Sequence, residues 1–167
     1  MANLKSIRSY GGYNRNAEKR FIGSYKEDQV LKPGDIIMGV TDMTKERRLV
    51  GHVALVPDMG EVMTFSMDLI KLVPKLVNNI YLYSAFCYGK LSKQISQLAN
   101  GVNVLHLKPD AMMNNQILIP CSDIISKYHR TVADFFTKID TLEKQSESAR
   151  EALERLLPKL MCGELEE

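Results

Sequence analysis

Residues 125–160 constrain this chain more than any other stretch. Ile125, Tyr128, Val132, Phe135, Ile139, Leu142, Ser146, Ala149, Leu153, Leu156 and Leu160 follow one another in alternating steps of three and four. They make five heptads with a single polar seam position, Ser146. A period of about 3.5 residues keeps a narrow apolar stripe on one side of a helix along its whole length. A helix folded onto its own domain ordinarily shows a wider stripe at a period of about 3.6. The pattern therefore predicts a long helix that meets a second long helix. The alternative left open is a helix lying on its own globular part.

The seam also suggests an orientation. In an antiparallel pair of identical helices centred between Ser146 and Ala149, Leu142 faces Leu153, Ile139 faces Leu156 and Phe135 faces Leu160. The small residues meet in the middle, and Glu143 falls near Arg150. Lys138 and Lys159 also come close, and their long stems let the ammonium groups reach water. Pro158 predicts the end of regular helix at residue 157, because proline lacks the N–H that would bond residue 154.

The 167 residues suit one domain and an appendage. Apolar residues are 45% and charged residues 25%, the balance of a soluble globular protein. No apolar run is long enough to span a membrane, and the opening MANLKSIRSYGG lacks the apolar centre of a signal peptide. Cys87, Cys121 and Cys162 are odd in number and widely spaced. They fit reduced thiols in a cytoplasmic protein better than a disulfide framework or a metal site.

The net charge of +2 conceals an asymmetry. Residues 1–121 hold 15 basic and 10 acidic side chains, and residues 122–167 hold 7 and 10. A basic module on an acidic arm suits a polyanion reader attached to protein partners. Residues 1–20 look irregular, with Arg8, Arg15, Lys19 and Arg20 interleaved with Tyr10 and Tyr13. That mixture offers phosphate and base contacts, or is simply a polar, frayed terminus.

Strand signals follow. Pro33-Gly34 is a turn that Asp35 organises, and residues 35–40 form a buried strand. Residues 41–48 are expected as a loop carrying Lys45, Arg47 and Arg48, and residues 51–56 as a second strand paired with the first. Residues 62–65 and 69–73 are further strand candidates. Residues 80–87 fit helix or strand alike. Residues 91–99 fit a short helix stopped at Asn100-Gly101, with Lys90 and Lys93 at its start. Residues 102–107 are expected as a strand, residues 111–113 as a helical turn and residues 117–120 as a last strand. The fold class is α+β: a small mixed-sheet domain, then a long C-terminal coiled-coil helix.

No catalytic constellation emerges. The phosphate loop G-x-x-x-x-G-K-[ST] and the dinucleotide fingerprint G-x-G-x-x-G are absent. So are an Asn/Asp-Pro-Pro-Tyr tetrapeptide, which holds a flipped base for amino-methyl transfer, and any acid two residues before a lysine, a common nuclease arrangement. His52, His106 and His129 are isolated and read as packing or surface residues. The expectation is a non-catalytic protein with neither cofactor nor metal.

The order of these pieces resembles a known family. PGDIIM is followed by VGHVALVPD, then YLYSAFCYGKLSKQISQLANGVNVLHLKPDAMMNNQILIP, then the heptad helix, then RLLPKLMCGEL. Together they resemble the specificity subunit of type I restriction–modification enzymes over residues 30–165. The resemblance implies a target recognition domain that reads half of a bipartite sequence in double-stranded DNA. It also implies a spacer helix that packs antiparallel on another and holds DNA methyltransferase subunits, within a complex that includes a restriction (helicase-nuclease) subunit.

A typical member carries two recognition domains and two spacers. This sequence carries one set, a half-subunit whose recognition domain at 1–120 is short on its N-terminal side, with residues 121–167 as the arm. It is expected to form an antiparallel homodimer or to pair with another specificity subunit. The other class of function is an assembly or modulator protein that pairs with a specificity or methyltransferase subunit without reading DNA. The DNA face is expected to gather Arg15, Lys19, Lys45, Arg47, Arg48, Lys90 and Lys93, with Tyr13 and Asn103 as base contacts.

Overall fold

A computed structural model describes residues 1–163. The chain forms two compact units, residues 1–125 and 126–167. Its architecture is α+β: small sheets and short helices, then one long helix.

The first unit is built around β2 (Ile36–Gly39), all four of whose residues are buried. Pro33 and Gly34 turn the chain into it. Asp35 accepts from the Lys32 N–H at 2.8 Å and pairs with the Lys71 ammonium at 3.0 Å. Strand β1 (Val30–Leu31) precedes this turn. β2 lies between β4 (Val53–Leu55) and β6 (Leu69–Leu72), antiparallel to both. Ile37 stands opposite Ala54 on one side and Lys71 on the other. The expected pairing of the first two long strands is present. Two smaller antiparallel pairs complete the unit: β1 with β5 (Met63–Thr64), and β3 (Thr41–Asp42) with β7 (Leu105–His106).

Residues 80–87, ambiguous by periodicity, belong to helix α1 (Asn79–Cys87). The Asn78 carboxamide caps it, accepting from the Tyr81 N–H at 2.8 Å. Tyr83 and Phe86 are buried where α1 packs on β4 and on α2 (Leu91–Ser96). The helical turn expected at 111–113 is helix α3 (Pro109–Met112), with Met113 as its C-cap.

Several sequence expectations are corrected. Residues 1–20 are two 3₁₀ turns and connecting chain rather than a frayed end, and Ala2, Ile7 and Tyr13 enter the core beside Leu31, Ile37 and Leu69. These positions are apolar or aromatic, and their burial outweighs the polar composition around them. Residues 41 and 42 are strand, not loop. Residues 102–104 are loop, not strand, and residues 117–120 form no strand. Helix α2 ends at Ser96 rather than at Asn100-Gly101, because Asn100 is drawn into a bridge with His106, exchanging both backbone hydrogen bonds at 3.0 and 2.9 Å.

The second unit continues helix α4 (Ser122–Met161), 40 residues that rise about 60 Å. Thr131, Thr137 and Thr141 return their hydroxyls to the carbonyls four residues back, and Asp140 pairs with Lys144 at 3.2 Å. The expected break at Pro158 does not occur. Proline forfeits one hydrogen bond to residue 154, yet the helix runs on to Met161, and the Cys162 N–H bonds the Pro158 carbonyl at 3.0 Å. The stop lies at Gly163, whose φ of +71° is the left-handed conformation typical of a helix C-cap. The remainder of the Gly-Glu-Leu motif, at 164–165, lies outside the described residues.

Candidate nucleic-acid interface

The short β3–β7 pair places two loops side by side. Thr41 stands opposite His106 and Asp42 opposite Leu105. The chain leaves β3 into residues 43–50, and residues 101–104 lead into β7. Between them lies a cleft of about 400 Å³, walled by Met43, Thr44, Lys45 and Arg47 on one side and by Gly101, Val102, Asn103 and Leu105 on the other.

The first wall is held by a buried carboxylate. Asp42 accepts from the Thr44 N–H at 2.8 Å and the Thr44 hydroxyl at 2.7 Å through one oxygen. Its other oxygen accepts from the N–H groups of Leu49 at 2.6 Å and Val50 at 3.2 Å. Burial by itself pushes this carboxyl up. The hydrogen bonds from Leu49, Thr44 and Val50 together outweigh burial and hold it below the usual carboxylate range. Asp42 is therefore ionised at neutral pH, and it closes the loop by joining residues 44 and 49–50.

Arg47 sits within that closed loop at a φ of +54°, a conformation a side-chain-bearing residue adopts at a cost. Its guanidinium donates to Gln97 Oε1 at 2.5 Å and to the Ala99 carbonyl at 3.4 Å. Lys90, Lys93 and Gln97 are exposed on or beside α2, so the Arg47 contact joins the cleft to that face. Gly51, at φ +75°, makes the joint possible: a Cβ there would lie 2.8 Å from the Ser96 N. Gly101 is equally constrained, since a Cβ would come within 1.9 Å of the Val104 carbonyl oxygen.

His52 lies behind the cleft, buried, with its ring edge-on to Tyr10 at 5.5 Å. Burial lowers its pKa from the usual 6.5, against the opposing pull of the Tyr10 and Arg47 backbones and the Asp42 charge. It is a packing residue, as expected from its isolation.

The predicted site residues separate into groups. Lys45, Arg47 and Asn103 share the cleft, and Lys90 and Lys93 continue from it along α2. Arg48 is exposed in the same loop, 4.0 Å from the Glu46 carboxylate. Arg15 and Lys19 belong elsewhere. Arg15 donates to the Asp58 carbonyl at 3.3 Å and lies 3.1 Å from Met59 Sδ, while Lys19 lines a separate hollow with Met1, Phe21 and Tyr25.

Tyr13 is the clear correction. Only 6% exposed, it packs in the core and donates its hydroxyl to Glu18. Burial and the Glu18 carboxylate push that hydroxyl far above its ordinary pKa. A side chain so placed has no face to offer a base. Asp42, Met43, Gln97 and Val102 were missed. The Asp-Met-Thr sequence at 42–44 is a legible signal for a carboxylate that folds back on the backbone two residues on; the others carry none.

On α4, no residue is buried. Phe135, Ile139, Leu142, Leu153, Leu156 and Leu160 are between 48% and 64% exposed, so the heptad seam is an uncovered apolar stripe.

No family model matches the chain. It is similar to the Type I restriction enzyme MjaIX specificity subunit of Methanocaldococcus jannaschii, with 34% identity over 84 residues. The chain resembles type I specificity subunits. The match covers 50% of this chain and 19% of the relative, so the chain spans about a fifth of that protein's length. Among the described residues, no helix is long and apolar enough to cross a membrane.

Proposed function

We propose that the chain is a DNA sequence recognition component of a type I restriction–modification enzyme. Residues 1–120 read a half-site, and residues 121–167 form the arm that holds the methyltransferase subunits, beside which the restriction subunit assembles. The chain works in the cytoplasm and performs no chemistry of its own.

The observation that carries this reading is the two-loop cleft with Lys45, Arg47 and Asn103 on its walls and Lys90 and Lys93 beyond. Cations that neutralise phosphates supply affinity, while side chains reaching base edges supply sequence. The exposed seam of α4 supports the scaffolding half of the proposal. It pairs antiparallel with the helix of a second copy or of another specificity subunit, centred between Ser146 and Ala149.

The test is reconstitution. Mixed with the methyltransferase subunit of its system, the chain should form a stable complex that methylates adenine in a defined sequence. Methyl transfer or strand cleavage by the isolated chain would overturn the proposal. A complex that assembles but shows no sequence-dependent methylation would replace it with the assembly-protein reading.

A further inference from the structure

The cleft has a second chemical character besides its charge. Val102 is 95% exposed and Met43 is 78% exposed, and they stand on opposite walls. Single exposed apolar residues are ordinary on protein surfaces. Here two of them flank the same opening, one next to Asn103 and the other two residues from Lys45. The backbone holds both in place: Met43 follows the clamped Asp42, and Val102 follows Gly101, whose position no other residue can occupy without clash.

Apolar tips beside an amide and cations match one ligand chemistry in particular. In the major groove an A·T pair presents the adenine N6 and N7 to a carboxamide and the thymine 5-methyl to an apolar side chain. A bare phosphate lattice would favour Lys and Arg without Val102 and Met43. A protein partner would offer no counterpart to Lys45, Arg47, Lys90 and Lys93 unless strongly acidic.

We propose that this cleft selects A·T pairs in the major groove, with Asn103 contacting adenine and Val102 and Met43 contacting thymine methyl groups. The proposal rests on the DNA-recognition reading above and adds which residues set specificity and for which base pair. Arg47, fixed to Gln97, positions the first wall and supplies phosphate contact with its remaining donors.

The complex of the full chain with its methyltransferase subunit should be challenged with a randomised duplex library, and the selected site then synthesised with deoxyuridine in place of each thymine in turn. Removing one contacted methyl should weaken binding about fourfold. In Val102→Ala or Met43→Ala that sensitivity should vanish at the position the side chain contacts. Asn103→Ala should cost about tenfold and relax the preference for adenine at one position.

All three residues are outside the core, and unchanged thermal melting will verify that the variants fold. Sequence-specific binding indifferent to every deoxyuridine and to these variants would overturn the inference and leave the DNA-recognition reading standing. Binding with no sequence preference would overturn both. Tight binding to an acidic protein partner, with none to DNA, would likewise replace both.

Discussion

The two units of this chain are stabilised in opposite ways. The first has a core around Ile37, Ala54 and Leu69, and even the loop at 43–50 is tied down by hydrogen bonds to Asp42. The second has no buried residue over the whole of α4 and leaves its best apolar side chains exposed. A helix within a protein owes most of its stability to tertiary packing of an apolar face. The first unit therefore holds its cleft by its own contacts, whereas the apolar stripe of α4 is exposed; on the reading proposed above, the first is a ready-formed recognition surface and the second packs on a partner.

The strongest test of this contrast is to charge the seam. Leu142→Asp puts a carboxylate opposite Leu153 in the proposed pair, where burial without a partner is costly. It should weaken helix pairing at least about a hundredfold while leaving the melting of the first unit unchanged. Sedimentation velocity at micromolar concentration measures the first effect. A wild-type chain that is monomeric alone would remove the homodimer and leave pairing with another subunit.

Next comes Asp42→Ala, which strips the acceptor from the N–H groups of Leu49, Val50 and Thr44 at a buried site. Unsatisfied buried donors cost about 1–3 kcal/mol each, and partial relaxation should leave a net loss of about 3 kcal/mol. Chemical denaturation should register this in the first unit only. A loss below about 1 kcal/mol would mean that the loop is not held by the carboxylate.

A smaller effect is expected from Arg47→Glu combined with Arg48→Glu. Affinity for all DNA sequences should fall, and the slope of log K against log salt should flatten by about one for each lost phosphate contact. Unchanged binding would move the phosphate face to the surface around Arg15 and Lys19.

The smallest effect is the pH response of His52. Its folded pKa lies below the unfolded value of 6.5, so the unfolded chain binds the proton more readily. The stability it preserves is full above pH 6.5 and is lost as the pH falls through the folded value. His52→Gln should reduce this acid sensitivity, measured as the difference in denaturation midpoint between pH 7 and pH 5. An unchanged difference would place the sensitivity elsewhere.

Local signals were legible where one residue type does one job. Pro33-Gly34 with Asp35 announced its turn, the strand read over 35–40 is present over 36–39, and the helix read over 91–99 is present over 91–96. The ends of elements were not legible, because partners distant in sequence set them. Asn100 stops being a helix cap once His106 is there to pair with it. Lys45, Arg47, Lys90, Lys93 and Asn103 were named for a DNA face from their chemistry alone, and Lys45, Arg47 and Asn103 share one cleft. Tyr13 was misplaced for the same reason: an aromatic residue among cations has the same composition whether its ring faces solvent or core.

By itself the sequence determined the long helix, its seam and the resemblance to type I specificity subunits. Those features depend on periodicity and on short motifs, which the linear order of residues specifies directly. Only the tertiary structure decided that Val102 and Met43 face the same opening, that Arg47 reaches Gln97, and that Tyr13 is internal. Each of these joins residues far apart in the chain. Such contacts arise from how strands pair and where apolar area is removed from water, and no local pattern encodes them.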